Sequence, residues 1–271
     1  MSKFKKSILV FWGVFLLLCA VSYFVAKDLE FEFSLAKYII FVVMVGFSFA
    51  LGYLFSKGAD NRENRKYLDL IIRDGNPKAF LKEYEKFIKP NMKKSKSNSV
   101  TKTTYSLGLI ADGQYDKAIS YLSESILQGN NKSELRINRV IYNYLCSAYG
   151  NLGDFESGKK YLEHLKNTNR DIKENKLIPN EFESVIEFYE YFLGDFSLEE
   201  SISYFEDYFK TKAATRYNKI MVKNKLALLY KEKGDMEKFN EYMDFVERYG
   251  KGLYVAVKAR KLINENLAEE N

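Results

Sequence analysis

The chain has 271 residues, 46% of them hydrophobic and 29% charged, with 42 Lys and Arg against 36 Asp and Glu for a formal net charge of +6. So small an excess lacks the dense basic footprint of a nucleic-acid binder. One histidine, His164, and two isolated cysteines, Cys19 and Cys146, exclude a zinc cluster and a disulfide framework, so neither metal nor cofactor is expected.

Two uncharged apolar runs come first, at about 7–26 and 38–56. Each is long enough to cross a hydrocarbon core as a helix. Trp12, Tyr23, Tyr38 and Tyr53 supply aromatic residues, and those near the ends suit the interface. A cleaved signal peptide is the rival for the first run, given the basic residues Lys3, Lys5 and Lys6. The apolar core is too long for that, however, and no A-x-A site follows. The loop between the runs holds Asp28, Glu30 and Glu32, whereas Lys57, Arg62, Arg65 and Lys66 follow the second. The positive-inside rule then puts both termini in the cytoplasm. The expected organisation is a two-span anchor over 1–57 in the plasma membrane and a cytoplasmic domain over 58–271.

Beyond the anchor the chain repeats itself. Gly75, Gly113, Gly153, Gly194 and Gly234 recur at close to forty residues, each between two apolar-periodic segments. In 139–165, Tyr142, Leu145 and Tyr149 share one face of a first helix, and Phe155, Tyr161, Leu162 and Leu165 give the second its apolar surface. Glycine can adopt the left-handed conformation that closes a helix without a Cβ clash. Asp154, Asp195 and Asp235 follow, where a carboxylate caps the next helix. Phe155, Phe196 and Met236 come next and are expected to plug the hairpin corners. The lysine-rich stretch 89–102 interrupts the helical pattern and reads as a solvated loop, and 253–271 reads as a terminal capping helix.

This pattern resembles the tetratricopeptide repeat. The match is best over 139–165, with Tyr142, Leu145, the small Cys146, Tyr149, Gly153-Asp154-Phe155 and the small Gly158. It extends to 219–246 through Leu226, Ala227, Tyr230 and Gly234-Asp235, and to 101–126 through Ser106, Leu109, Gly113, Tyr115 and Ala118. Phe239 and Glu187 stand where the family has small residues, and its terminal proline is missing. The resemblance implies an all-α chain: two transmembrane helices, then an α-solenoid of four to five hairpins. It further implies a concave groove lined by the first helices, at Thr103, Leu107, Asn143, Ser147, Ser184, Phe188, Asn224, Leu228 and Lys231.

No phosphate-binding glycine loop or nucleophile elbow is present, and any triad would have to use His164, which reads as a surface residue. Cys146 reads as a packed thiol. No enzyme is expected. The expected function is a membrane-anchored interaction scaffold for cytoplasmic protein or peptide partners. The alternative is an accessory subunit of a membrane transport, secretion or envelope complex, with the solenoid as docking platform. The bias toward Lys, Asn, Ile, Tyr and Phe suits an AT-rich bacterial genome.

Overall fold

The computed structural model describes residues 12–13, 65–88, 95–174, 182–211 and 215–269, and the chain divides into two compact units, Met1–Lys66 and Tyr67–Asn271. A helical stretch at 65–72 leads into α1 (Pro77–Ile88), α2 (Ser95–Ala111), α3 (Tyr115–Ser123), α4 (Lys132–Leu152) and α5 (Phe155–Glu174). They are followed by α6 (Glu183–Phe192), α7 (Leu198–Thr211), α8 (Arg216–Lys233), α9 (Met236–Gly250) and α10 (Tyr254–Glu269). No strand occurs among the described residues.

The glycine punctuation sets this order. Gly75, Gly113, Gly153, Gly194 and Gly234 all have positive φ, from 61° to 92°, and each separates two helices. After the last four, the residues Gln114, Asp154, Asp195 and Asp235 donate their backbone N–H to a carbonyl five positions back, at 2.8–3.0 Å. The ends of the first helices are thereby satisfied, and the chain reverses.

Apart from α3, whose cap residue Gln114 makes no side-chain bond, the second helices start on side-chain caps. Asp154 Oδ1 accepts from Ser157 N at 3.0 Å, and Asp235 Oδ1 from Lys238 N at 3.1 Å. Asn76 does the same for Ala79 N at 3.0 Å, ahead of Pro77, whose missing N–H costs nothing in a first turn. Asp195 departs from the expectation. Two further residues precede α7, and Ser197 caps it, exchanging bonds with Glu200: Glu200 N donates to Ser197 Oγ at 3.3 Å and Ser197 N to Glu200 Oε2 at 3.0 Å. Asp195 instead pairs with Lys159, at 2.9 Å.

Three other expectations need correction. Phe155, Phe196 and Met236 do not plug the corners; they are 40–42% exposed. The stretch 89–102 is not all loop, since α2 begins at Ser95. Hydroxyls of this hydroxyl-rich helix are satisfied within it by the preceding turn: Thr103 Oγ1 donates to Ser99 O at 2.7 Å and Ser106 Oγ to Lys102 O at 2.9 Å.

The third correction concerns the membrane. Among the described residues no helix is long and apolar enough to cross one. Even the 21-residue α4 carries Lys132, Glu134, Arg136 and Arg139. Among the described residues the fold class is all-α with no helix fit to cross a membrane, so neither the two expected spans nor the multi-pass plasma-membrane location with cytoplasmic termini is supported. The apolar runs 7–26 and 38–56 lie outside the described residues, apart from Trp12 and Gly13.

Within the second unit each helix packs on its chain neighbours, most extensively α4 on α5 and α8 on α9, as in a helical-repeat array. Phe80, Phe205 and Phe239 are completely buried, along with Leu109, Ile141 and Leu145. Phe239 thus fills the space around the position where the resembling family has a small residue.

The array does not stay open. Gly252 N donates to Gly75 O at 3.0 Å, joining the α9–α10 connection to the first turn. Two residues on, the Tyr254 ring covers Gly113 and meets Tyr115 edge-on, with ring centroids 5.9 Å apart. The capping helix α10, whose Val255, Ala256 and Ala259 are buried, closes the unit onto its own beginning.

Candidate functional site

Closure turns the first helices toward a common interior, and there a cavity of about 310 Å³ lies. Each first helix contributes lining residues. Helix 65–72 supplies Ile71 and Ile72, and α2 supplies Leu107 and Ile110. From α4 come Asn143, Ser147 and Asn151, four apart, with Tyr144 beside them; from α6 come Val185, Phe188, Tyr189 and Phe192. The first turns of α8 add Tyr217, Asn218, Met221 and Val222, and its cap residue Thr215 also faces the space. Tyr208 is the contribution of a second helix, α7.

The aromatic wall depends on close backbone approach. A Cβ on Gly150 would sit 2.3 Å from the Phe192 ring, so only glycine lets that ring lie flat against α4. Phe188 holds the wall together: it stacks on Phe192 at 5.7 Å and meets Tyr189, Phe205 and Tyr208 edge-on at 5.4–5.5 Å. Such pairs each add about 0.5–1.5 kcal/mol beyond area burial. On α8, the Lys225 ammonium lies 5.1 Å from the Phe192 ring centroid and 5.5 Å from that of Phe155. Its pKa is lowered by burial, and it does not line the cavity.

No lining residue carries a formal charge near neutral pH. Burial pushes the Tyr144 phenol up to about 12 and raises Tyr189, Tyr208 and Tyr217 as well, so the hydroxyls stay protonated. Asn151 Nδ2 donates to Ser147 O at 2.7 Å, committing that end of its amide to its own helix. Among the described residues, the side-chain amides of Asn143 and Asn218 have no protein hydrogen-bond partner.

The structure brings four of the nine expected groove residues together: Leu107, Asn143, Ser147 and Phe188 all line the cavity. The other five lie off it. Thr103 is buried against its neighbours, its hydroxyl bonded back to Ser99. Ser184 is half-buried, one residue before the lining Val185. On α8 the lining residues, 217–222, lie N-terminal to the expected ones. Asn224 is half-buried off the cavity, Leu228 is 40% exposed, and the Lys231 ammonium stands 5.4 Å from the Phe239 ring centroid. Tyr144, Tyr189, Phe192, Tyr217 and Met221 are lining residues that the repeat pattern does not single out. The 185–188–189–192 stripe could have revealed the α6 set.

His164 is exposed and stacks on Tyr142, centroid to centroid 5.3 Å, on the α4–α5 hairpin. Cys146 is fully buried, and burial pushes its thiol up to about 12. Neither reaches the cavity lining. A wider hollow between α6 and α7 is walled by Glu187, Glu200, Asp207 and tyrosines, but Glu200 is taken up in the α7 cap.

Fold and cavity define a class: an all-α array of consecutive helical hairpins around a neutral interior pocket. Comparison with protein-family models, curated proteins and solved structures gives no match to this chain.

Proposed function

We propose that the chain is a tetratricopeptide-like binding module that holds a protein or peptide partner at the cavity walled by its first helices, without chemical turnover. One observation carries this reading: Leu107, Asn143, Ser147 and Phe188, groove positions taken from three different hairpins, converge on one cavity. The lining chemistry supports binding over catalysis. Its titratable groups are tyrosines whose pKa values burial raises, and a general acid or base works best with a pKa near the operating pH. Amides such as Asn143 offer a donor and an acceptor together, the pair an extended peptide backbone needs.

The test uses a partner identified by crosslinking and then purified. Asn143→Ala and Phe188→Ala should each weaken its binding by about 1–3 kcal/mol with the helical content unchanged. Lys160→Ala, on an exposed face of α5, should leave affinity as it is. Equal losses in all three variants would place the partner elsewhere on the surface.

A further inference from the structure

We infer that the cavity is a specificity pocket for an uncharged peptide segment: it takes one aromatic or branched apolar side chain, with the adjoining peptide group meeting the Asn143 and Asn218 amides. This rests on the peptide-binding reading above and narrows it to one chemistry.

Three observations converge. At about 310 Å³ the space is at the lower end of small-ligand pockets, which run from about 300 to 1,000 Å³. It suits a side chain and its peptide group, and is too small for a docked helix. Its wall is mainly apolar and aromatic, with Phe188 and Met221 contributed by different hairpins. Its polar equipment is neutral throughout. The amides of the half-buried Asn143 and of Asn218, at the exposed rim, lack protein partners among the described residues, and the nearby phenols remain protonated because burial disfavours their anions.

The absence of charge among the lining residues is the discriminating feature. A carboxylate, phosphate or ammonium group entering this space would give up part of its hydration and find no opposite charge on the wall, and burying an unpaired ion is far costlier than burying a hydrogen-bonded amide. A peptide terminus, a phosphorylated residue or a basic side chain is therefore rejected. An internal peptide segment with an apolar residue is accepted, its carbonyl and N–H each meeting an amide.

The probe is N-acetyl-phenylalaninamide, titrated into the full chain carrying 13C-methyl methionine. Met221 lines the cavity and reports occupancy; its resonance is assigned with Met221→Leu. The expected result is a saturable shift of the Met221 methyl signal. N-acetyl-phenylalanine, identical but for its carboxylate, should bind at least tenfold more weakly. Phe188→Ala should weaken the neutral probe by a similar factor. Asn143→Leu, which keeps the volume, should weaken it with the helical content of the free protein unchanged. A Met221 signal that never moves, or equal binding of the carboxylate, overturns the pocket.

The two readings fail separately. If a purified partner still binds while the neutral probe does not, the pocket is wrong and the binding module stands. If the probe binds at Met221 but never displaces the partner, the pocket stands as a site for a free neutral ligand and the peptide-binding reading falls.

Discussion

Replacing Gly113 by alanine tests the closure of the array more sharply than any deletion. Gly113 and Gly153 occupy equivalent turns, with φ of 79° and 92°. At Gly153 an added Cβ meets nothing within 4 Å; at Gly113 it falls 2.3 Å from Cγ of Tyr254, the root of the ring. Left-handed strain costs either alanine about 1–2 kcal/mol. Stiffening of the unfolded chain offsets about 0.4–1 kcal/mol of that. Gly153→Ala should therefore destabilise by about 1 kcal/mol. Gly113→Ala must also displace the Tyr254 ring, and overpacking of this kind costs about 1–3 kcal/mol more. For a unit of this size the second variant should lower Tm by roughly 5–15 °C, against a few degrees for the first.

A double-mutant cycle then isolates the contact. Tyr254→Ala alone loses the edge-on pair with Tyr115, worth about 0.5–1.5 kcal/mol. In the Gly113→Ala background it should restore stability, because the clashing ring is gone. The coupling should be about 1–3 kcal/mol, read from equilibrium denaturation of the full chain followed by circular dichroism. Additive effects, or a Gly113→Ala no worse than Gly153→Ala, would refute the docking of α10 on the second turn.

Further outcomes follow from single sites. Asp235→Ala should cost about 0.5–2 kcal/mol in the same assay through loss of the bond to Lys238 N. The hydrogen bonds from Ser157 hold the Asp154 carboxyl below its usual range, so its stabilising share is present above the ordinary aspartate pKa and is lost as pH falls through the depressed folded value. Asp154→Asn should flatten that part of the acid limb of a stability–pH curve. In a Cys19→Ser background, Cys146 should resist a thiol reagent at pH 8 until the chain is unfolded, since burial raises its pKa to about 12.

The turns were legible in the sequence because their cause is local. A left-handed residue after an apolar-periodic run calls for glycine wherever it sits, and all five positions turn as that rule requires. Asp195 misleads because Ser197 and Glu200, two and five residues on, form the stronger cap. The start of α2 was hidden for another reason: Ser and Thr suggest a loop unless their hydroxyls bond back within the helix. The cavity lining was legible on α4, where Asn143 and Ser147 follow a fixed helical stripe. On α8 the lining lies N-terminal to the expected positions, in a unit whose far end returns to Gly75. No local pattern encodes that return, so residues 217–222 and the pocket they complete were out of reach.

The hydrogen bond from Gly252 to Gly75 also bears on how such a chain can change. An open row of hairpins tolerates duplication or loss of a unit, because each copy needs only its neighbours. Here an inserted hairpin would carry Gly252 away from Gly75 and lift Tyr254 from Gly113, while a deleted one would leave the ends colliding. Copy number is thereby locked, as strand number is in a closed barrel. Variation must enter through side chains facing the interior or through the connections between hairpins.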